Sequence, residues 1–506
     1  MLRKFLRLGR DTSGNVAFLF ALVLIPILTA TGAAIDYNRA MTARSKLATA
    51  VDAATLALAR QPMQEDGSAQ QFLTDYISQT LDAVGFNAST WSITSFTQTH
   101  QAIDVAVAGS MDTVIMGLVN IDHIPFGTST SVVREQKKVE LALVLDNTGS
   151  MNSSGKIGAL RDAANELIDI MFEGANSAEN VDVALVPFVT SVNIRAADVF
   201  NMDWMDTEGA ATYHGVNFDE SSGQVNHFDL FDQISNTEWK GCVEARAEPY
   251  DTDDTPPSGS SPDTLFVPWF WPDEPDYGWS YHNDYMNDQV SWGTSAQDRQ
   301  KSTAKYGSAN ASIDESPSST SGPNKSCGQP ILPLTNEENT LHSEIDAMRA
   351  WNSSGTNIAQ GLVWGWRVLS PGEPFTEGVP YSDEETMKAL VLLSDGENQV
   401  VSQNNSHNYS DYNGYNYLSQ GRLGTTSTYS AIGQVNDKVA TLCQSIKDQD
   451  IRVYTITFKL NSGSLQSLFR DCATDPDLYF NSPSNEDLRQ AFEEIAYDLS
   501  KLRLAK

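Results

Sequence analysis

The chain has 506 residues and a formal net charge of −32, with 33 basic against 65 acidic side chains. That length leaves room for about two to four domains. The acidic excess excludes nucleic-acid binding, which needs a basic stripe, and suits a soluble, exported bulk that attracts cations.

The first segment, MLRKFLRLGRDTSG, carries Arg3, Lys4, Arg7 and Arg10. Residues 16–35 then run without a charge, and about 20 such residues suffice for a helix to cross a bilayer. Pro26 lies inside the run, where membrane helices tolerate it. The positive-inside rule puts the N-terminus in the cytoplasm and the bulk in the periplasm or beyond, although Arg39, Arg44 and Lys46 reduce the asymmetry. A cleaved signal peptide is the competing reading. Leu47, Val51, Ala54 and Leu58 continue a helical stripe with no turn signal before them, which favours an uncleaved anchor. The stretch GNVAFLFALVLIPILTATGAAIDYNRAMTARSKLATAVDAATLALA resembles the N-terminal region of TadG-like proteins of the Tad (Flp) pilus-assembly system. The resemblance covers residues 1–60 and implies a bacterial inner-membrane protein whose partners are pilus-assembly components. Gly14 is followed by Asn-Val-Ala-Phe-Leu, without the acidic residue of TadE-like pseudopilins, which speaks against prepilin-type cleavage.

Residues 61–134 read as a small α+β module. A helix is expected over 70–86, a strand over 91–108 where Ile103, Val105 and Val107 alternate, a return to helix in MDTVIMGLVN and a strand at SVVRE. No catalytic constellation falls in this part.

From residue 135 to 506 the pattern is that of an α/β domain. Leu141 to Leu145 is an unbroken apolar run ending in Asp146, and residues 389–393 repeat the arrangement ahead of Asp395. Such runs are strands buried on both faces of a parallel sheet, and ligands of these sheets gather at the strands' carboxyl ends. Thr148 and Ser150 follow the first run, and Thr356 stands in SSGTNIAQGL. The five residues supply two carboxylates and three hydroxyls, an all-oxygen set suited to Mg²⁺ or another hard divalent cation such as Ca²⁺ or Mn²⁺.

These segments resemble the von Willebrand factor type A (VWFA) domain and its metal-ion-dependent adhesion site, D-x-S-x-S, then a Thr in a G-T-N-like turn, then an Asp in a strand-terminal D-G. The match falls on Asp146, Thr148, Ser150, Thr356 and Asp395, with Thr148 in place of the more usual Ser. The resemblance implies a doubly wound, mostly parallel, Rossmann-like sheet. It also implies hydroxyls bound directly to the metal, carboxylates acting largely through water, and a protein ligand offering an Asp or Glu carboxylate to the remaining position.

Within this domain Leu160, Ala164, Leu167 and Met171 mark a helix, VDVALVPFV a strand, IAQGLVWGWRVL a helix behind Thr356, IRVYTITF a late strand, and 487–504 a closing amphipathic helix. An insertion is expected over 200–334. Its Trp204, Trp239, Trp269, Trp271, Trp279 and Trp292 read as a compact core rather than a binding platform, and WKGCVEAR and LFVPWFWPDEPD resemble the insertion of TadG-like proteins. The acidic runs 251–254 and 273–276 lack EF-hand spacing and read as solvated loops. The polar, aromatic stretch NNSHNYSDYNGYNYLSQGRLGTTSTYS after Asp395 suits either partner contact or disorder.

Cys242, Cys327, Cys443 and Cys472 are an even set without metal-binding spacing, as suits an oxidising compartment. The pairings Cys242–Cys327 and Cys443–Cys472 each close within one segment of this architecture. His214, His227, His282, His342 and His407 are scattered, and no HExxH, GxSxG or P-loop stretch occurs. A binding protein is therefore expected rather than an enzyme. A structural scaffold whose metal only stabilises the fold is the alternative, and a metal-assisted hydrolase a remote one for want of a spaced base.

Overall fold

The computed structural model describes residues 14–61, 66–86, 90–99, 102–133, 137–173, 180–196, 199–276, 281–288, 294–307, 311–318, 321–352, 355–460 and 462–503. Arg3, Lys4, Arg7, Arg10, Trp279 and Trp292 lie outside the described residues. The chain divides into two compact units, one reaching Gln136 and the other Lys137–Arg503.

The first unit opens with α1 (Gly14–Ala59), one continuous helix through Pro26. Leu19, Phe20, Leu22, Val23, Ile25, Ile27 and Leu28 are exposed around it, whereas from Ala40 onward Leu47, Val51, Ala54 and Leu58 are buried. The helix thus changes from apolar on all sides to apolar on one, as its sequence stripe requires. That stripe shares a core with α2 (Asp66–Ala83) and an antiparallel sheet of β1 (Thr90–Gln98), β2 (Ala102–Asp112) and β3 (His123–Val133). Two expectations need correction here. The single strand over 91–108 is a hairpin, with Thr99 N–H donating to the Ala102 carbonyl at 2.9 Å, and no Gly or Pro marks the bend. In MDTVIMGLVN, Met111 and Asp112 end β2, and the helical part is only a 3₁₀ turn, Met116–Val119. The backbone N–H groups of Val114, Ile115 and Met116, which would begin a helix, donate instead to the buried Asp36 carboxylate of α1 at 3.0, 2.9 and 2.9 Å.

The second unit begins with β4 (Lys138–Asp146), α3 (Lys156–Phe172) and β5 (Val181–Phe188). The long excursion that follows carries β6 (Val192–Asn193), α4 (His227–Gln233), β7 (Cys242–Val243) and α5 (Ala296–Lys301). The main sheet resumes with β8 (Leu332–Thr335), then α6 (Glu338–Ala347), α7 (Ile358–Arg367), β9 (Thr386–Ser394), α8 (Thr428–Lys447), β10 (Arg452–Phe458), α9 (Gly463–Cys472), β11 (Tyr479–Ser482) and α10 (Asn485–Arg503). Its six strands run in the order β11-β10-β9-β4-β5-β8, all neighbours parallel except β5 and β8.

The unbroken apolar runs have a direct cause, because both faces of this sheet are covered. Ala142 and Val144 pack on the side of α7, α8 and α9, while Leu141, Leu143 and Leu145 pack on the side of α3, α6 and α10. The fold is therefore a doubly wound, mostly parallel α/β sheet. Helix α7 lies unusually close to it. A Cβ on Gly361 would fall 2.6 Å from the Phe188 ring, and one on Gly365 would fall 2.3 Å from Val144 Cγ2.

The excursion between β5 and β8 is a packed layer. Trp204 and Trp239 join the large core, and Trp269 and Trp271 cluster with Cys242, Cys327, Tyr412 and Tyr417. Its acidic runs are not solvated loops. Asp251 sits 2.8 Å from Lys438 Nζ, Asp253 accepts from Arg246 at 3.0 Å, Asp254 accepts from Tyr381 at 2.6 Å, and Asp273 meets Lys305 at 2.9 Å. The sequence spacing of these acids gave no sign of the distant cations and hydroxyls that hold them.

The packing of α7 makes a prediction. Ala is the better helix former by about 1 kcal/mol, yet overpacking a filled core costs about 1–3 kcal/mol. Gly365→Ala should therefore lower the melting temperature of the protein, and an unchanged or higher melting temperature by calorimetry would mean that α7 is free to lift from the sheet.

Candidate metal centre

Strands β4 and β9 are neighbours in register, Leu145 opposite Leu393, so both chains leave the sheet at the same edge. Asp146 ends β4 and is fully buried. Its Oδ1 accepts the Thr148 backbone N–H at 2.9 Å, and its Oδ2 accepts the Ser394 hydroxyl at 2.6 Å. Ser150 stands in the 3₁₀ turn Gly149–Asn152, with its Oγ 2.9 Å from Thr148 Oγ1 and donating to Asp395 Oδ1 at 2.5 Å. Thr356 is held by a reciprocal backbone pair with Gln399, at 3.2 and 2.9 Å. Gly355 enters that turn at φ +84°, where a Cβ would lie 2.1 Å from the Gln399 carbonyl oxygen, so only glycine fits. Asn357 then caps α7 by accepting the Gln360 N–H at 3.2 Å. The third segment converges on the other two. A Cβ on Gly396 would lie 4.0 Å from both Ser150 Oγ and Thr356 Oγ1.

Burial, and then the negative charge of Asp395, push Asp146 up to about 7, against the pull of its hydrogen bonds from Ser394 and Thr148. Two carboxylates held together in a dry place are relieved by a proton on one of them or by a cation between or beside them. Their oxygen-only surroundings fit a hard divalent ion, which takes carboxylates, hydroxyls and water. Asp146, Thr148, Ser150, Thr356 and Asp395 are the residues that would hold it. Two further groups belong to the site and carried no sequence signal. Ser394 looked like the end of a strand, and Lys156 like an ordinary first residue of a helix. Lys156 Nζ lies 2.6 Å from Asp395 Oδ2, with its side chain 12% exposed.

Thr148, Ser150 and Thr356 open onto a cavity of about 430 Å³ whose other walls include His282, Lys325 and Asp411. His282 Nδ1 lies 2.6 Å from Asp411 Oδ1, a hydrogen bond that raises the imidazole pKa. Lys325 Nζ donates to the His282 carbonyl and sits 4.6 Å from the centre of the Trp271 ring. The stretch after Asp395 is packed, with Tyr412, Tyr415 and Tyr417 buried, and its Asp411 lines the cavity. Tyr412 OH donates to Glu244, Tyr417 OH to Glu274 at 2.8 Å, and Asn408 pairs with Gln300 at 2.9 and 3.0 Å. The inserted layer supplies those partners, from more than a hundred residues away in the chain.

Residues 14–61 match the family described as putative Flp pilus-assembly TadE/G-like. The second unit is a doubly wound, mostly parallel sheet with Asp146 and Asp395 at the carboxyl ends of β4 and β9. Solved structures similar to the chain include the pilus adhesin SpaC from Lactobacillus rhamnosus GG, at 13% identity and TM-score 0.33, over 81% of this chain and 34% of that one. The chain thus spans about a third of that adhesin's length. The vWF domain of the type V pili tip protein Mfa5 from Porphyromonas gingivalis is 11% identical, with TM-score 0.33 over 72% of this chain and 95% of that one. Proximal thread matrix protein 1 of the mussel byssus, solved with a zinc-occupied MIDAS motif, is 12% identical, with TM-score 0.29 over 73% and 47%. No curated protein matches the chain.

Away from the metal residues, Cys242 is bonded to Cys327 beside the Trp269 and Trp271 cluster, and Cys443 on α8 is bonded to Cys472 at the end of α9.

The Lys156 contact yields a prediction of sign. An ammonium on Asp395 opposes the entry of a second cation, so Lys156→Met should tighten Mg²⁺ binding several-fold in titration calorimetry. Weaker binding in that variant would make Lys156 a support for Asp395 instead of a competitor.

Proposed function

We propose that this chain is a membrane-anchored, extracytoplasmic component of a Tad (Flp) type pilus, binding a protein partner through Mg²⁺ held by Asp146, Thr148, Ser150, Thr356 and Asp395. The observation that carries the reading is the meeting of three remote segments at one sheet edge beside an open cavity. A partner's Asp or Glu entering that cavity would complete the ion's coordination, and the inserted layer forms the opposite wall. The TadE/G-like head and the exposed apolar start of α1 support the anchor. The segment Leu19–Ala59 includes a stretch long and apolar enough to cross a membrane. Pilus assembly, anchoring and adhesion are all served by such a protein. A binding role, not catalysis, suits a donor set of carboxylates and hydroxyls with no spaced general base.

A second reading, in which the metal only stabilises the fold, is weakened by Lys156, which already supplies a positive charge to Asp395. Chelation with EDTA should accordingly leave the protein folded.

Two outcomes are expected. In a pilus-bearing host lacking this gene, the Asp146→Ala chain should reach the membrane at the normal level yet fail to restore pilus-dependent surface attachment. Full restoration would remove the metal from the function. A periplasm-only reporter fused after Lys506 should be active, and a silent fusion would reverse the proposed orientation.

A further inference from the structure

On the face of the second unit formed by α3 and α6, three side chains outside the Asp146 site come together. The ligand atoms of Asp169, Glu338 and His342 all lie within 4.8 Å of one another. Glu338 and His342 are one helical turn apart on α6, and His342 Nε2 lies 3.9 Å from Glu338 Oε1 and 3.2 Å from Asp169 Oδ1 of α3. Bonds of about 2.0–2.2 Å from zinc to nitrogen and oxygen place neighbouring ligand atoms of a tetrahedron about 3.3 Å apart. The first distance needs to shorten by a fraction of an ångström, and the second is already met.

A second observation concerns the far side of the imidazole. His342 Nδ1 lies 2.7 Å from Asn165 Oδ1, and the same amide donates through Nδ2 to Asp346 Oδ1 at 3.0 Å. A carboxylate can only accept, so Asp346 fixes which end of the Asn165 amide faces His342, and Nδ1 must be the protonated donor. Nε2 then faces two carboxylates, and either its own proton or a metal cation must stand between them. An imidazole donating through one nitrogen to an oriented oxygen, with the other turned to carboxylates, is the outer support metal-bound histidines use.

We propose that Asp169, Glu338 and His342 form a second cation site, selective for a borderline transition ion of the Zn²⁺ class, with water in the fourth position. Imidazole nitrogen disfavours Mg²⁺ and Ca²⁺, so this site and the Asp146 site take different ions. The new site clips α3 to α6. It is independent of the proposed pilus role.

The test uses the full chain in detergent, with excess Mg²⁺ to occupy the Asp146 site and Co²⁺ as a spectroscopic probe. One equivalent of Co²⁺ should give the intense visible bands of a tetrahedral site and be displaced by Zn²⁺. His342→Ala should abolish the bands, and Asn165→Ala should weaken binding by about ten- to a hundred-fold, both without changing the metal-free melting temperature. Absence of the bands in the unaltered chain, or the same bands in His342→Ala, would overturn the site and leave His342 an imidazolium paired with its two acids.

Discussion

Two carboxylates delivered to one edge by adjacent parallel strands are the constraint around which the second unit is arranged. Asp146 and Asp395 repel each other in a place too dry to screen them, and burial with that repulsion lifts Asp146 to about 7. The surroundings meet the problem in three ways: Ser394 and the Thr148 N–H donate to Asp146, Ser150 donates to Asp395, and Lys156 lays an ammonium against Asp395. A divalent ion would replace these part-measures with one concentrated charge. The sheet, buried on both faces, holds the strand ends still enough for that exchange to be local.

The inserted layer and the stretch after Asp395 make a second dependence. Each buries the other's polar groups. Glu274 accepts from Gln403, Tyr417 and the backbone N–H of His282 and Asn283, and Glu244 accepts from Tyr412. Buried polar networks of this kind are costly when incomplete and rigid when satisfied. The Cys242–Cys327 bond, 85 residues apart in the chain, links two parts of the inserted layer beside that network. The cavity wall carrying His282, Lys325 and Asp411 is therefore part of a fixed structure, and the space it leaves beside the metal residues is a shaped one.

Much of this was legible in the sequence where a pattern has a local cause. Leu141 to Leu145 and 389–393 announced strands covered on both faces, the Leu160 to Met171 stripe announced α3, and Leu47 to Leu58 announced the buried side of α1. What stayed hidden depends on partners remote in the chain. Tyr412 and Tyr417 have the composition of an exposed loop, and only Glu244 and Glu274 make them core residues. Asp251 and Asp273 look solvated until Lys438 and Lys305 are placed beside them. The 3₁₀ turn at Met116–Val119 looks helical until Asp36 claims its leading N–H groups. Lys156 and Ser394 are ordinary residues at ordinary positions, and proximity alone gives them meaning.

In the proposed site Asp146 and Asp395 share a divalent ion with the Ser150 and Thr356 hydroxyls. Anomalous scattering from crystals of the protein grown with Mn²⁺ tests it directly. A single strong peak among Asp146, Ser150, Thr356 and Asp395, with Lys156 turned away from Asp395, is the expected result. A map in which Lys156 still occupies Asp395 and no Mn²⁺ lies at that edge would contradict it.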